Sequence, residues 1–136
     1  MKRSDFIRRA LASLGVIAVP RLMTARESTH RTSELHRFLV RGFSYHDGPA
    51  VLDQLASGQT VRLVREPANP YDDQAIAVHT AAGHKLGYVP REDNQILARL
   101  LDEDLMDLDA RITAVRPERA DWEKLEIAIR TDHGNT

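Results

Sequence analysis

Tyr71 and Asp72 stand side by side in the run Arg65-Glu66-Pro67-Ala68-Asn69-Pro70-Tyr71-Asp72-Asp73-Gln74-Ala75-Ile76-Ala77-Val78. An aromatic followed at once by a carboxylate can stack on a flat ring and accept a hydrogen bond from a neighbouring hydroxyl. The same pair has a structural reading: a packed turn, with Tyr71 half buried and Asp72 capping backbone amides. Asn69-Pro70 requires an extended residue before a fixed φ, and Asp72-Asp73 supplies acceptors that close local turns. Strand is therefore expected to stop at Glu66 and resume near Ala75, leaving Tyr71 on a loop between two strands.

Other chemistries find little support. No glycine-rich phosphate loop ending in Lys-Ser or Lys-Thr is present, so the chain has no ATP-driven activity of its own. There is no cysteine, which excludes thiolate metal sites, thiol catalysis and disulfides but fixes no compartment. The histidines, at 30, 36, 46, 79, 84 and 133, form no i, i+4 ligand pair. Asp102-Glu103-Asp104-Leu105-Met106-Asp107-Leu108-Asp109 looks calcium-like but lacks the required glycine and terminal glutamate, and reads as a solvated acidic turn. Glu66, Asp72 and Asp73 with Lys85 match no nuclease spacing, and Ser44 lacks the strand-turn-helix context of a nucleophile. The expectation is a non-catalytic protein without metal or cofactor.

At 136 residues, 42% hydrophobic and 29% charged, the composition is that of one globular domain. The net charge of −1 conceals an asymmetry. Residues 1–35 hold seven Lys/Arg against three acids, or +4, which leaves −5 for residues 36–136. That part cannot bind duplex DNA through a broad basic surface, so any nucleic-acid contact must be local.

The basic start Met1-Lys2-Arg3-Ser4-Asp5-Phe6-Ile7-Arg8-Arg9 leads into an uncharged apolar run over 10–19, which is signal-peptide anatomy. The run is too short for a stable membrane span, and Met23-Thr24-Ala25 offers a small-residue cleavage site at Ala25. Export to the periplasm or cell envelope is one reading of this segment; an amphipathic or disordered arm is the other. Ser4 stands where a twin-arginine start would carry its second arginine. The expected organisation is a basic export-like segment and linker over 1–35, a domain over 36–131 and a tail over 132–136.

Within the domain, residues 36–43 are strand-like, with Gly42 marking a bulge or a close backbone approach. A short helix over 50–56 precedes a strand of period two over 60–66. Strands over 75–80 and 85–89 bracket a glycine-containing hairpin loop, and Pro90 ends the pair. Asp93 is placed to cap a helix over 94–101 whose residues 96, 97, 100 and 101 form one apolar face for the sheet. Strands over 108–115 and 123–131 complete the set. The fold class expected is mainly β, with about six strands and two short helices in a small antiparallel barrel of the oligonucleotide-binding (OB) type.

Gly42-Phe43-Ser44-Tyr45-His46-Asp47-Gly48, the Arg65 to Val78 segment, Leu86-Gly87-Tyr88-Val89-Pro90-Arg91 and Asn94, in that order, resemble the HIRAN domain family over roughly residues 36–131. The resemblance implies a modified OB-like barrel, found fused to the front of helicase-like ATPases and also alone in bacteria. It implies binding of single-stranded DNA at its 3′-hydroxyl end. By position, Tyr71 would stack on a base, Asp72 would accept from the 3′-hydroxyl and Asn69 would shape the loop. Tyr45 matches a second aromatic, Tyr88 stands where a histidine is frequent, and Arg91 sits at a basic position suited to a phosphate. Trp122 is a looser match to the stacking wall. Ser44 replaces an arginine that can hold a phosphate and stack, which implies weak, salt-sensitive binding. A separate helicase is a partner the resemblance implies. The export reading implies instead an envelope module for a protein or small ligand. The oligomeric state is not encoded in any of these motifs.

Overall fold

Alternation of residue type builds the strands. In β2 (Thr60–Arg65), Val61 is buried while Thr60, Arg62 and Val64 face out. In β6 (Leu125–Asp132), Leu125, Ile127 and Ile129 are fully buried. The computed structural model describes residues 32–132 and adds β1 (Thr32–Leu39), β3 (Ile76–Thr80), β4 (Lys85–Tyr88) and β5 (Leu108–Val115). The six strands form one antiparallel sheet in the order β1-β6-β5-β2-β3-β4. Arg41, just past β1, joins the two ends of that order. Its amide donates to the Tyr88 carbonyl and the Tyr88 amide donates to its carbonyl, both at 2.9 Å. The fold is thus mainly β and closes as an OB-like barrel around Phe38, Val40, Phe43, Ile76, Leu86 and Ile112, among others.

Two helices accompany the sheet: α1 (Gly48–Val51), continued by a 3-10 turn over Leu52–Gln54, and α2 (Arg91–Asp102). α1 begins two residues earlier than the expected 50–56 because Pro49 fits the first turn, and it tightens after four residues. α2 begins directly after Pro90, whose extended ψ of 144° makes it the N-cap, so Asp93 lies inside the first turn instead of capping it. The buried stripe of α2 is Asn94, Leu97 and Ala98, with Leu101 partly covered. Ile96, expected on that face, is 74% exposed, because a step of two residues carries it around the helix from Asn94.

The first strand also differs from expectation. It starts at Thr32, where polar residues pair with Thr131 and Asp132 without burial and so leave no alternation to read. It ends at Leu39 instead of running to Phe43. Gly42, with φ of +74°, turns the chain into a 3-10 turn over Phe43–Tyr45 that puts Phe43 into the core. Complete burial of that ring is worth about 1.5–3 kcal/mol, more than the ladder bonds lost by leaving the strand. No helix of the described residues is long and apolar enough to cross a membrane. The export-like features at 1–25 and the tail beyond 132 lie outside the described residues.

Candidate functional site

The loop between β2 and β3, the end of β4 and the start of α2 enclose a groove of about 1020 Å³. Asn69, Tyr71, Asp72, Tyr88 and Arg91 all line it. Tyr45 does not: it projects from the Phe43–Tyr45 turn, at whose three residues per turn the inward position belongs to Phe43. Trp122 is also outside the groove, half exposed on a 3-10 turn over Asp121–Glu123 that packs beside the turn of Tyr45.

Asn69 organises the loop. Its Oδ1 accepts from the amides of Tyr71 at 2.9 Å and Asp72 at 3.3 Å, and its Nδ2 donates to Glu66 Oε1 at 3.1 Å. The side chain thus does for the loop what a backbone carbonyl does in a turn. It leaves Tyr71 86% exposed, so the packed-turn reading fails for that residue. The capping half of that reading holds: Asp72 Oδ1 accepts from the Gln74 amide at 2.9 Å.

Asp72 Oδ2 accepts from Asn94 Nδ2 at 2.7 Å and lies 3.5 Å from Arg91 Nε. The Gln74 amide, then Asn94 and Arg91, hold the Asp72 carboxyl below its ordinary pKa against a smaller opposing effect of burial. It is an anion at neutral pH. With one bond at Oδ1 it keeps a lone pair for a further donor, such as a ligand hydroxyl. Arg91 also donates to the Tyr71 carbonyl, so the cation and the aromatic are tied to one another.

Beneath them is a second network. Lys85 Nζ lies 2.7 Å from Glu66 Oε2 and donates to the Tyr88 hydroxyl at 2.6 Å, and that hydroxyl donates to Glu66 Oε1 at 2.8 Å. Nζ is 4.6 Å from the Tyr88 ring centroid but at its hydroxyl edge, so the contact is a hydrogen bond rather than a cation over a ring face. Burial pushes the Glu66 pKa up, but hydrogen bonds from Lys85, Tyr88 and Asn69 together outweigh it and leave it lowered. Burial likewise opposes the Lys85 charge, and Glu66 and Tyr88 reverse this, so its pKa is raised. The His46 ring meets Tyr88 edge-on at 5.4 Å, and burial, with the Lys85 ammonium, lowers its pKa, so it is neutral at pH 7.

Arg41, His46 and Glu92 also line the groove; His46 lies in the Gly42 to Gly48 motif, whereas Arg41 and Glu92 carry no local sequence signal. Arg41 comes there through the closing bridge to Tyr88, and its guanidinium lies 3.3 Å from Glu92 Oε1. Among the described residues, no three His, Asp or Glu side chains gather as metal ligands. What the groove offers is an exposed ring, an ionised acceptor and two guanidiniums.

The family model described as HIRAN domain matches residues 33–132. The helicase-like transcription factor of Oryctolagus cuniculus is 34% identical over 70 residues, covering 52% of this chain and 6% of that protein. The Fanconi-associated nuclease 1 homolog of Oryza sativa subsp. japonica is 32% identical over 89 residues, 61% of this chain and 9% of that one. The chain therefore spans less than a tenth of the length of these curated relatives. Among solved structures, a Lactobacillus plantarum protein superposes with a TM-score of 0.65 at 35% identity, over 76% of this chain and 98% of its own. The crystal structure of the HIRAN domain of human HLTF gives a TM-score of 0.53 at 22% identity, over 75% and 81%, and shares the fold. With the family model matched over most of its length and a barrel shared with a solved member, this chain belongs to the HIRAN domain family.

Proposed function

We propose that the protein is a non-catalytic nucleic-acid-binding module that takes the 3′-hydroxyl end of single-stranded DNA into the groove. The observation that carries this reading is the Asn69-held turn, which keeps Tyr71 bare to solvent beside an ionised Asp72 with acceptor capacity left. A terminal base stacks on Tyr71, the 3′-hydroxyl donates to Asp72, and Arg91 faces the adjoining phosphate. Tyr88 is the floor of the groove, and Tyr45, exposed outside it on the turn next to His46, stacks a base further along the strand. The names of the curated relatives, a helicase-like transcription factor and a nuclease homolog, support nucleic acid as the ligand class. A helicase is the partner class that the name of the helicase-like relative suggests.

The test is fluorescence anisotropy of the full chain with a short single strand bearing either a 3′-hydroxyl or a 3′-phosphate. The hydroxyl end is expected to bind better, because a terminal phosphate would approach the Asp72 carboxylate. Tyr71→Ala should weaken binding by about fivefold or more, the equivalent of one lost base stack, with stability unchanged to within about 0.5 kcal/mol. Asp72→Asn should erase the preference between the two ends. Equal binding of both ends by the wild type would remove end recognition; no binding at low salt would remove the nucleic-acid reading.

A further inference from the structure

Among the described residues, three cations lie at the groove or beneath it, and each is already paired: Lys85 with Glu66, Arg91 with Asp72 and Arg41 with Glu92. The three carboxylates are not held alike. Glu66 accepts from Asn69 and Tyr88 as well as Lys85, and Asp72 accepts from Gln74 and Asn94 as well as Arg91. Among the described residues, Glu92 has Arg41 as its one side-chain partner, and it is 64% exposed where Asp72 and Glu66 are 18% and 25%. Exchange of partners is thus cheapest at Arg41 and Glu92, since an exposed ion pair is worth about 0–1 kcal/mol.

Position gives that exchange a purpose. The Arg41 backbone is fixed by its two hydrogen bonds to Tyr88, so the side chain starts from a set point on the groove wall. Glu92 directly follows Arg91, so the Arg41 guanidinium is drawn to the same mouth that Arg91 occupies. Ser44, three residues on, is exposed and brings no charge.

We infer that Arg41 is a second phosphate contact of the groove and that Glu92 masks it until a phosphate displaces the carboxylate. The inference rests on the single-stranded DNA reading and adds a residue to it. The guanidinium moves from one anion to another, with no bond made or broken beyond hydrogen bonds. Binding then releases Glu92 to solvent, so Glu92 lowers affinity through Arg41 rather than by plain repulsion.

The experiment is a double-mutant cycle on the full chain, with a 3′-hydroxyl single strand titrated between about 50 and 200 mM salt. Arg41→Ala should weaken binding about three- to tenfold and reduce the slope of log affinity against log salt by about 0.7, the share of one phosphate on a single strand. Glu92→Gln should tighten binding about two- to fivefold, and this gain should vanish in the Arg41→Ala background. Arg41→Lys should keep the salt slope, which a merely structural role for the side chain would not require. Arg62→Ala, outside the groove on β2, should alter neither quantity.

An unchanged slope in Arg41→Ala would overturn the contact. Persistence of the Glu92→Gln gain in the double variant would overturn the masking. If neither the wild type nor Glu92→Gln binds at the lowest salt, the DNA reading itself fails and this inference falls with it. Binding by the wild type with an indifferent Arg41 fails this inference alone.

Discussion

Glu66 ties three parts of the groove to one another: the loop through Asn69, the floor through Tyr88 and the ammonium of Lys85. It is three-quarters covered, so its ion pair is only partly screened, and removing the charge leaves Lys85 without its counter-ion. Glu66→Gln is expected to destabilise the protein by about 1–3 kcal/mol at pH 7. The pH dependence follows from the direction of its shift. A carboxyl whose pKa is lower in the folded than in the unfolded state stabilises fully above the ordinary value of 4.5, and this contribution is lost as pH falls through the lowered value. Urea melts of wild type and Glu66→Gln should therefore converge below pH 4.5; a constant gap between them down to pH 2–3 would show that Glu66 acts through packing instead of charge. Much at this scale was legible beforehand. Asn69, Tyr71 and Asp72 form one local turn whose chemistry is complete within four residues, so the sequence displays it directly. Arg41 and Glu92 were not legible, because strand pairing and a helix start about 50 residues away bring them to the groove.

At the scale of elements, the bridge between Arg41 and Tyr88 decides whether the groove has two walls or one. Gly87 makes it feasible: its φ is +142°, and a Cβ there would collide with the Arg41 carbonyl oxygen and crowd Val40. Gly87→Ala combines backbone strain with overpacking in the core, and should cost about 3 kcal/mol or more. Its signature should be uneven. Amide exchange at Arg41 and Tyr88 should rise well above that of β5 and β6, whose ladders do not pass through the bridge. Equal loss of protection across the whole sheet would mean that closure is not separable from folding. The strands were readable from alternation where one face is buried, as in β2 and β6. They were not readable where pairing alone sustains them, as in the polar start of β1. Ile96 and Phe43 mark the same limit from the other side: a hydrophobic residue specifies that something can be buried there, whereas the tertiary environment selects which one is.

For the molecule as a whole, charge sets what kind of nucleic acid can be held. Residues 36–136 carry a net −5, and the groove's own cations are matched one for one by carboxylates. A duplex presents phosphates over a wide front, most of which would face an acidic surface, while the proposed strand-end binding asks the groove to take only a base and one or two phosphates. A blunt duplex of the same sequence should therefore compete at least about tenfold less well than the single strand in anisotropy assays. With two guanidiniums engaged at about 0.7 of salt slope each, single-strand affinity should fall about sevenfold between 50 and 200 mM salt, far less than for proteins that track many phosphates. The two numbers constrain each other. A steep salt slope with equal duplex binding would move recognition off the groove onto some other basic surface, for which residues 36–136 have little charge to offer. A shallow slope with strong single-strand preference is what the proposed stacking on Tyr71, with Arg41 and Arg91 as phosphate contacts, requires.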